Sequence, residues 1–131
     1  MIQEQYVSFE TANLLKEKDF PQNPYMCNTA YTPKGKLSNN AKSFVHNYEL
    51  FEASGIKPLS YSMAPTQAMA MRWLREVQNL HIWVEPNTSN ENMFDAHVAK
   101  KYCYRVWAGV GYPTYEEACE EAIKYCLENL I

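Results

Sequence analysis

Residues 64–87, APTQAMAMRWLREVQNLHIWVEPN, switch from a helical to an alternating hydrophobic period within a few positions. Thr66 has the side chain of a helix N-cap, and Met69, Ala70, Trp73, Leu74 and Val77 then recur on one side of a helix. Arg72, Arg75 and Glu76 fall on the other side. Gln78-Asn79 stops the helix. Leu80, Ile82 and Val84 then alternate with His81, Trp83 and Glu85, the period of a half-buried strand. Such a helix needs a core to cover its apolar face, and the strand that follows needs a sheet to receive it.

The rest of the chain supplies partners for both. Ser8 is placed to cap a helix carrying Phe9, Ala12 and Leu15, which Asp19 to Pro24 terminates. Tyr25 to Tyr31 reads as a strand, Pro33-Lys34-Gly35-Lys36 as a turn, and the residues around Leu37 as a short return strand that would make a hairpin. Asn39 to Ala53 suits a helix ending at Gly55 and also an extended segment, the helix being preferred. Ile56 to Met63 reads as a connecting loop and Pro86 to Asn92 as a polar turn. Lys100 to Val110 reads as one strand, with Tyr102, Tyr104, Val106 and Ala108 on one face and Lys101, Cys103, Arg105 and Trp107 on the other. Thr114 and Glu117 have capping-box spacing and open a final helix. Its buried side is Ala118, Cys119, Ala122, Ile123, Cys126 and Leu130, and Glu120–Lys124 is a favourable i,i+4 pair on its polar side. Helices and antiparallel strands without regular βαβ alternation indicate an α+β fold. The expected form is a small antiparallel sheet with two or three helices packed on one face, in a single domain spanning residues 1–131.

Composition narrows the function classes. At 131 residues, 47% hydrophobic and 21% charged, the chain can bury a core without disulfides or metal. A net charge of −3 gives no broad footprint for duplex nucleic acid. No apolar run is long enough to span a membrane, and MIQEQYVSFE lacks the pattern of a secretory signal. Cys119 and Cys126, seven residues apart on one expected helix, would stand about 10 Å apart, too far to bridge. Reduced, partly buried thiols in a cytoplasmic protein are the expectation.

The stretch APTQAMAMRWLREVQNLHIWVEPN, the opening YVSFETANLLKEKDF and the ending YPTYEEACEEAIKYCLENLI resemble a group of small uncharacterised proteins of gut Bacteroidales genomes, often found in phage, prophage or mobile-element regions. The resemblance covers roughly half the chain, at both ends and in the middle; residues 34–63 and 88–100 diverge. It implies a setting and a shared fold. It implies no activity and transfers no functional residue.

Catalytic motifs are sparse. His46, His81 and His97 are the three histidines, and none stands in a metal-ligand pair. The sequence has no CxxC, phosphate loop or GxSxG elbow, and Gly109-Val110-Gly111 lacks the third glycine of a nucleotide loop. A Cys103–His81 dyad is conceivable on one sheet face, against the commoner reading of a strand cysteine as a small buried hydrophobe. The acidic side of the last helix reads as a solvated surface. No cofactor or metal is expected.

One constellation remains. If Ile82, Val84, Tyr104 and Val106 face the core, then His81, Trp83, Arg105 and Trp107 share the opposite sheet face. That face is either covered by a helix or second subunit, or open as an aromatic stacking platform flanked by Lys100, Lys101, Arg72 and Arg75. The first function class is a non-enzymatic accessory protein of a phage or mobile element, acting through protein–protein contact with an unknown partner and self-associating. Its alternative is a single-stranded nucleic-acid binder using the same face, which requires both Trp83 and Trp107 to be exposed. The acidic balance favours the first.

Overall fold

A computed structural model describes residues 4–22, 28–39, 61–101 and 104–131. The chain is α+β, with helices and two three-stranded antiparallel sheets among the described residues. It divides into two compact units, Ser8–Pro65 and Met1–Val7 with Thr66–Ile131.

In the Ser8–Pro65 unit, helix α1 spans Phe9–Glu17. The Ser8 hydroxyl accepts from the Thr11 N–H at 3.1 Å, satisfying one of the free donors of the first turn. Thr11, Ala12 and Leu15 face inward. The sheet has strands β1 (Ala30–Tyr31), β2 (Leu37–Ser38) and β3 (Ser62–Met63) in the order β2-β1-β3. The Pro33–Lys36 turn forms as its residues suggest, closed by Gly35 N–H donating to Thr32 O at 2.9 Å with Gly35 at φ +87°. Ser62–Met63, expected within a loop, is instead a strand beside β1, with Met63 opposite Ala30 and fully buried. Two residues are too few to show a period, so this pairing leaves no local trace. The expected strand start at Tyr25 and the helix over 39–53 fall mainly outside the described residues.

In the other unit, helix α2 spans Gln67–Gln78 and is followed at once by β4 (Leu80–Pro86). Thr66 Oγ1 accepts from the Met69 N–H at 3.2 Å. Asn79 ends the helix in the left-handed region at φ 57°, ψ 32°, a conformation asparagine tolerates better than most residues. Ala70, Trp73 and Leu74 are buried as the periodicity requires, but Val77 is 58% exposed because it lies at the helix end. Arg72 Nε meets Glu76 Oε1 at 3.1 Å on the solvent side.

Strands β4, β5 (Phe94–Lys100) and β6 (Arg105–Tyr112) form a meander in the order β4-β5-β6. The strand expected over 100–110 corresponds to β6, which begins at Arg105; Lys100 is instead the last residue of β5, a strand not expected. Helix α3, Tyr115–Tyr125, contacts all three strands, and α2 lies against β4 and α3. Thr114 Oγ1 accepts from the Glu117 N–H at 3.0 Å, the expected cap. The last turn, Cys126–Leu130, is π-helical. Its wider winding buries Leu127 fully in place of the expected Leu130, which is only partly buried.

Candidate functional site

Directly opposed residues of an antiparallel pair share a face, so register assigns the two faces of the β4-β5-β6 meander. Leu80, Ile82 and Val84 oppose Lys100, Val98 and Ala96, and Val98 and Ala96 oppose Trp107 and Gly109. This is the helix-covered face. Trp107 stacks on Tyr125 of α3 with ring centroids 4.7 Å apart, and Phe94 meets Tyr115 edge-on at 6.1 Å.

The opposite face carries three rows. His81 opposes Ala99, Trp83 opposes His97, and Glu85 opposes Asp95. On the other side of β5, Ala99 opposes Arg105 and His97 opposes Ala108. Of the four residues assigned to one face from sequence, the structure keeps His81, Trp83 and Arg105 together and removes Trp107. The cause is a bulge. Val98 pairs with Trp107 while Ala99 pairs with Arg105, so Val106 is an extra residue in β6. One extra residue reverses the alternation between its neighbours. Tyr104, expected in the core, is 95% exposed, and Val106 is also exposed.

At the centre of the face lies His97, 6% exposed. Its ring stacks on Trp83, with centroids 4.9 Å apart and planes 16° from parallel. Arg105 Nη1 lies 3.1 Å from His97 Nδ1. A guanidinium has donors and no acceptor, so Nδ1 accepts and the ring proton belongs on Nε2. Nε2 in turn lies 2.7 Å from Glu85 Oε1. The carboxylate stands out of line with the N–H, making a Coulombic contact without a directed hydrogen bond.

Glu85 and Asp95 are like charges directly opposed, an unfavourable pairing in a sheet. Each has a separate anchor. Glu85 leans to His97, whereas Asp95 Oδ1 accepts from Asn87 Nδ2 at 2.8 Å and from the Gly111 N–H at 3.0 Å. These donors, Asn87 foremost, hold the Asp95 carboxyl below its usual value. Gly111, at φ +82°, sits at a second register shift, between the Ala96–Gly109 and Phe94–Tyr112 pairs.

Apolar and charged groups are exposed side by side on this face. Trp83 is 41% and Val110 69% exposed, with Ala108 exposed beside His97 and the exposed charges of Arg105 and Glu85 around them. Among the described residues no hydroxyl or thiol is hydrogen-bonded to His97, and no group of three or more His, Cys, Asp or Glu side chains is placed to hold a metal ion. Cys119 and Cys126 are buried on α3 and its last turn. Burial pushes their thiols up to about 11 and about 12. Cys103, half of the conceivable dyad with His81, and His46 lie outside the described residues. A cleft where α2 and α3 begin, between Gln5, Gln67, Met71 and Tyr115, is crossed by Gln67 Nε2 donating to Glu116 O at 2.9 Å. No described helix is long and apolar enough to cross a membrane.

Sequence reading set Glu85 on this face with His81 and Trp83 but missed His97, because it missed β5. The signal was present in FDAHVAK, whose alternation sets Ala96 and Val98 against Asp95, His97 and Ala99. A hairpin closed over Asn87–Met93 then sets Trp83 opposite His97. Comparisons with protein-family models, curated proteins and solved structures returned no match.

Proposed function

We propose that the chain is a non-enzymatic interaction protein that acts through protein–protein contact at the Trp83 face, with a second copy of itself as the first partner to test. One observation carries this: an aromatic ring held by stacking on a sheet stands exposed beside Arg105 and the apolar surface of Ala108 and Val110. Tryptophan and arginine are the side chains most enriched where interfaces concentrate their binding energy. Stacking on His97 also restricts the Trp83 ring before binding, which lowers the ordering cost of contact.

The nucleic-acid alternative called for two exposed tryptophans on this face. Trp107 lies instead against Tyr125, and Glu85 and Asp95 set negative charge beside Trp83. Both points favour the protein-contact reading. The mobile-element setting rests on the resemblance of residues 64–87 and the two chain ends. Buried free thiols at Cys119 and Cys126 support a reducing, cytoplasmic compartment.

Light scattering over a range of protein concentrations tests the proposal. The expected result is a dimer for the natural chain and a monomer for the folded Trp83→Ser/Arg105→Ser variant. A natural chain that stays monomeric throughout overturns self-association. Salt-sensitive binding of single-stranded oligonucleotides, lost in the same variant, would move the assignment to nucleic acid.

A further inference from the structure

The geometry points to a proton-operated release of Arg105: protonation of His97 at Nδ1 ejects the guanidinium from the ring and transfers the histidine to Glu85. The argument begins with which groups can donate. Arg105 Nη1 approaches His97 Nδ1 to 3.1 Å, and this contact exists only while Nδ1 keeps its lone pair. A proton on Nδ1 replaces the acceptor with a donor and sets two cations against each other. The same proton improves the opposite contact. Glu85 Oε1 already lies 2.7 Å from Nε2, where the neutral ring offers it only a misaligned N–H. An imidazolium there turns that approach into an ion pair. The ring therefore stands between one neighbour that favours its neutral form and one that favours its charged form.

The charged and titratable groups facing His97 from this sheet are His81 and Glu85 on β4, Asp95 on β5 and Arg105 on β6. Asp95 feels the charge of His97 while Asn87 and Gly111 hold its carboxylate, and only Arg105, at 3.1 Å, and Glu85, at 2.7 Å, reach the ring nitrogens. Arg105 and Glu85 are thus the two groups that change partner. Both are exposed, whereas the ring of His97 is buried against Trp83. Protonation of the ring then presents a released guanidinium beside Trp83 and ties Glu85 down. If this face is the contact surface, as proposed above, partner affinity follows pH; the release of Arg105 itself is a property of the free chain.

Nitrogen-15 NMR of the imidazole rings, on the full chain from about pH 8 to about pH 5, tests the inference. His97 is expected as the Nε2–H tautomer at the upper end. Acidification should charge the ring and change Trp83 emission in the same step, because an imidazolium stacked on indole quenches it. Arg105→Ala removes the neighbour that favours the neutral ring and should move the midpoint to higher pH. Glu85→Gln removes the neighbour that favours the charged ring and should move it lower. Both substitutions are at exposed positions, so the variants remain folded and measurable. An Nδ1–H tautomer, or a midpoint that Arg105→Ala leaves in place, overturns the proposal. These readouts involve no partner, so they stand or fall separately from the light-scattering test.

Discussion

Arg105 and Trp107 are two residues apart on one strand and face opposite sides of their sheet. Arg105 reaches His97 at 3.1 Å on the open side, and Trp107 stacks on Tyr125 at 4.7 Å on the helix side. Val106, the extra residue between them, produces this division.

The two tryptophans should therefore differ in energetic weight. Trp107→Ala removes an aromatic stack from the helix–sheet core and should cost about 2–4 kcal/mol. Trp83→Ala acts on an open face and should cost about 1 kcal/mol or less. Urea unfolding of the two variants checks this, and the opposite ranking would mean that the faces have been assigned the wrong way round.

Gly109 lies under the Trp107 ring. A Cβ at this position would stand 2.6 Å from Cη2 and 2.8 Å from Cζ2 of Trp107. That ring is held by Tyr125 and cannot yield cheaply. Gly109→Ala should destabilise the fold by about 1–3 kcal/mol and weaken the near-ultraviolet circular dichroism of the stacked pair. An unchanged unfolding midpoint would contradict the geometry.

Asp95 sets a pH dependence of definite sign. Its native carboxyl is held below the value it has in the unfolded chain, by Asn87 first and then by Gly111. The ionised carboxylate therefore favours the folded state. This contribution is fully present above the unfolded carboxylate pKa and is lost as pH falls through the lower native value. Asp95→Asn should lower stability at neutral pH and reduce the acid-induced loss; equal acid slopes for the two proteins would rule the linkage out.

The thiols of Cys119 and Cys126 should resist modification. Burial raises both, to about 11 and about 12, so the reactive thiolate is scarce in the native chain. Peptide-resolved mass spectrometry after brief iodoacetamide treatment should find both unlabelled in native protein and labelled in urea. Rapid native labelling of Cys126 would contradict its burial beneath the last turn.

Much of the architecture is written in short stretches of sequence, because its causes are local. Ser8, Thr66 and Thr114 cap their helices from within three residues of the donors they satisfy. The apolar periods of α2, β4 and α3 identify the sides that face inward, and Asn79 marks the reversal between helix and strand. Those features led to an α+β fold and set His81, Trp83 and Glu85 on one face of β4, whereas Arg105 shares that face through the pairing of β6 with β5. Tertiary structure alone decided the rest. Ser62–Met63 becomes a strand only because β1 offers it an edge, and β5 shows its role only when paired on both sides. The bulge at Val106 depends on matching Arg105 to Ala99 and Trp107 to Val98 simultaneously, a condition set by the neighbouring strand. The placement of His97 between Arg105, Glu85 and Trp83 follows from that register, because these four side chains come from three strands and meet only when the sheet closes.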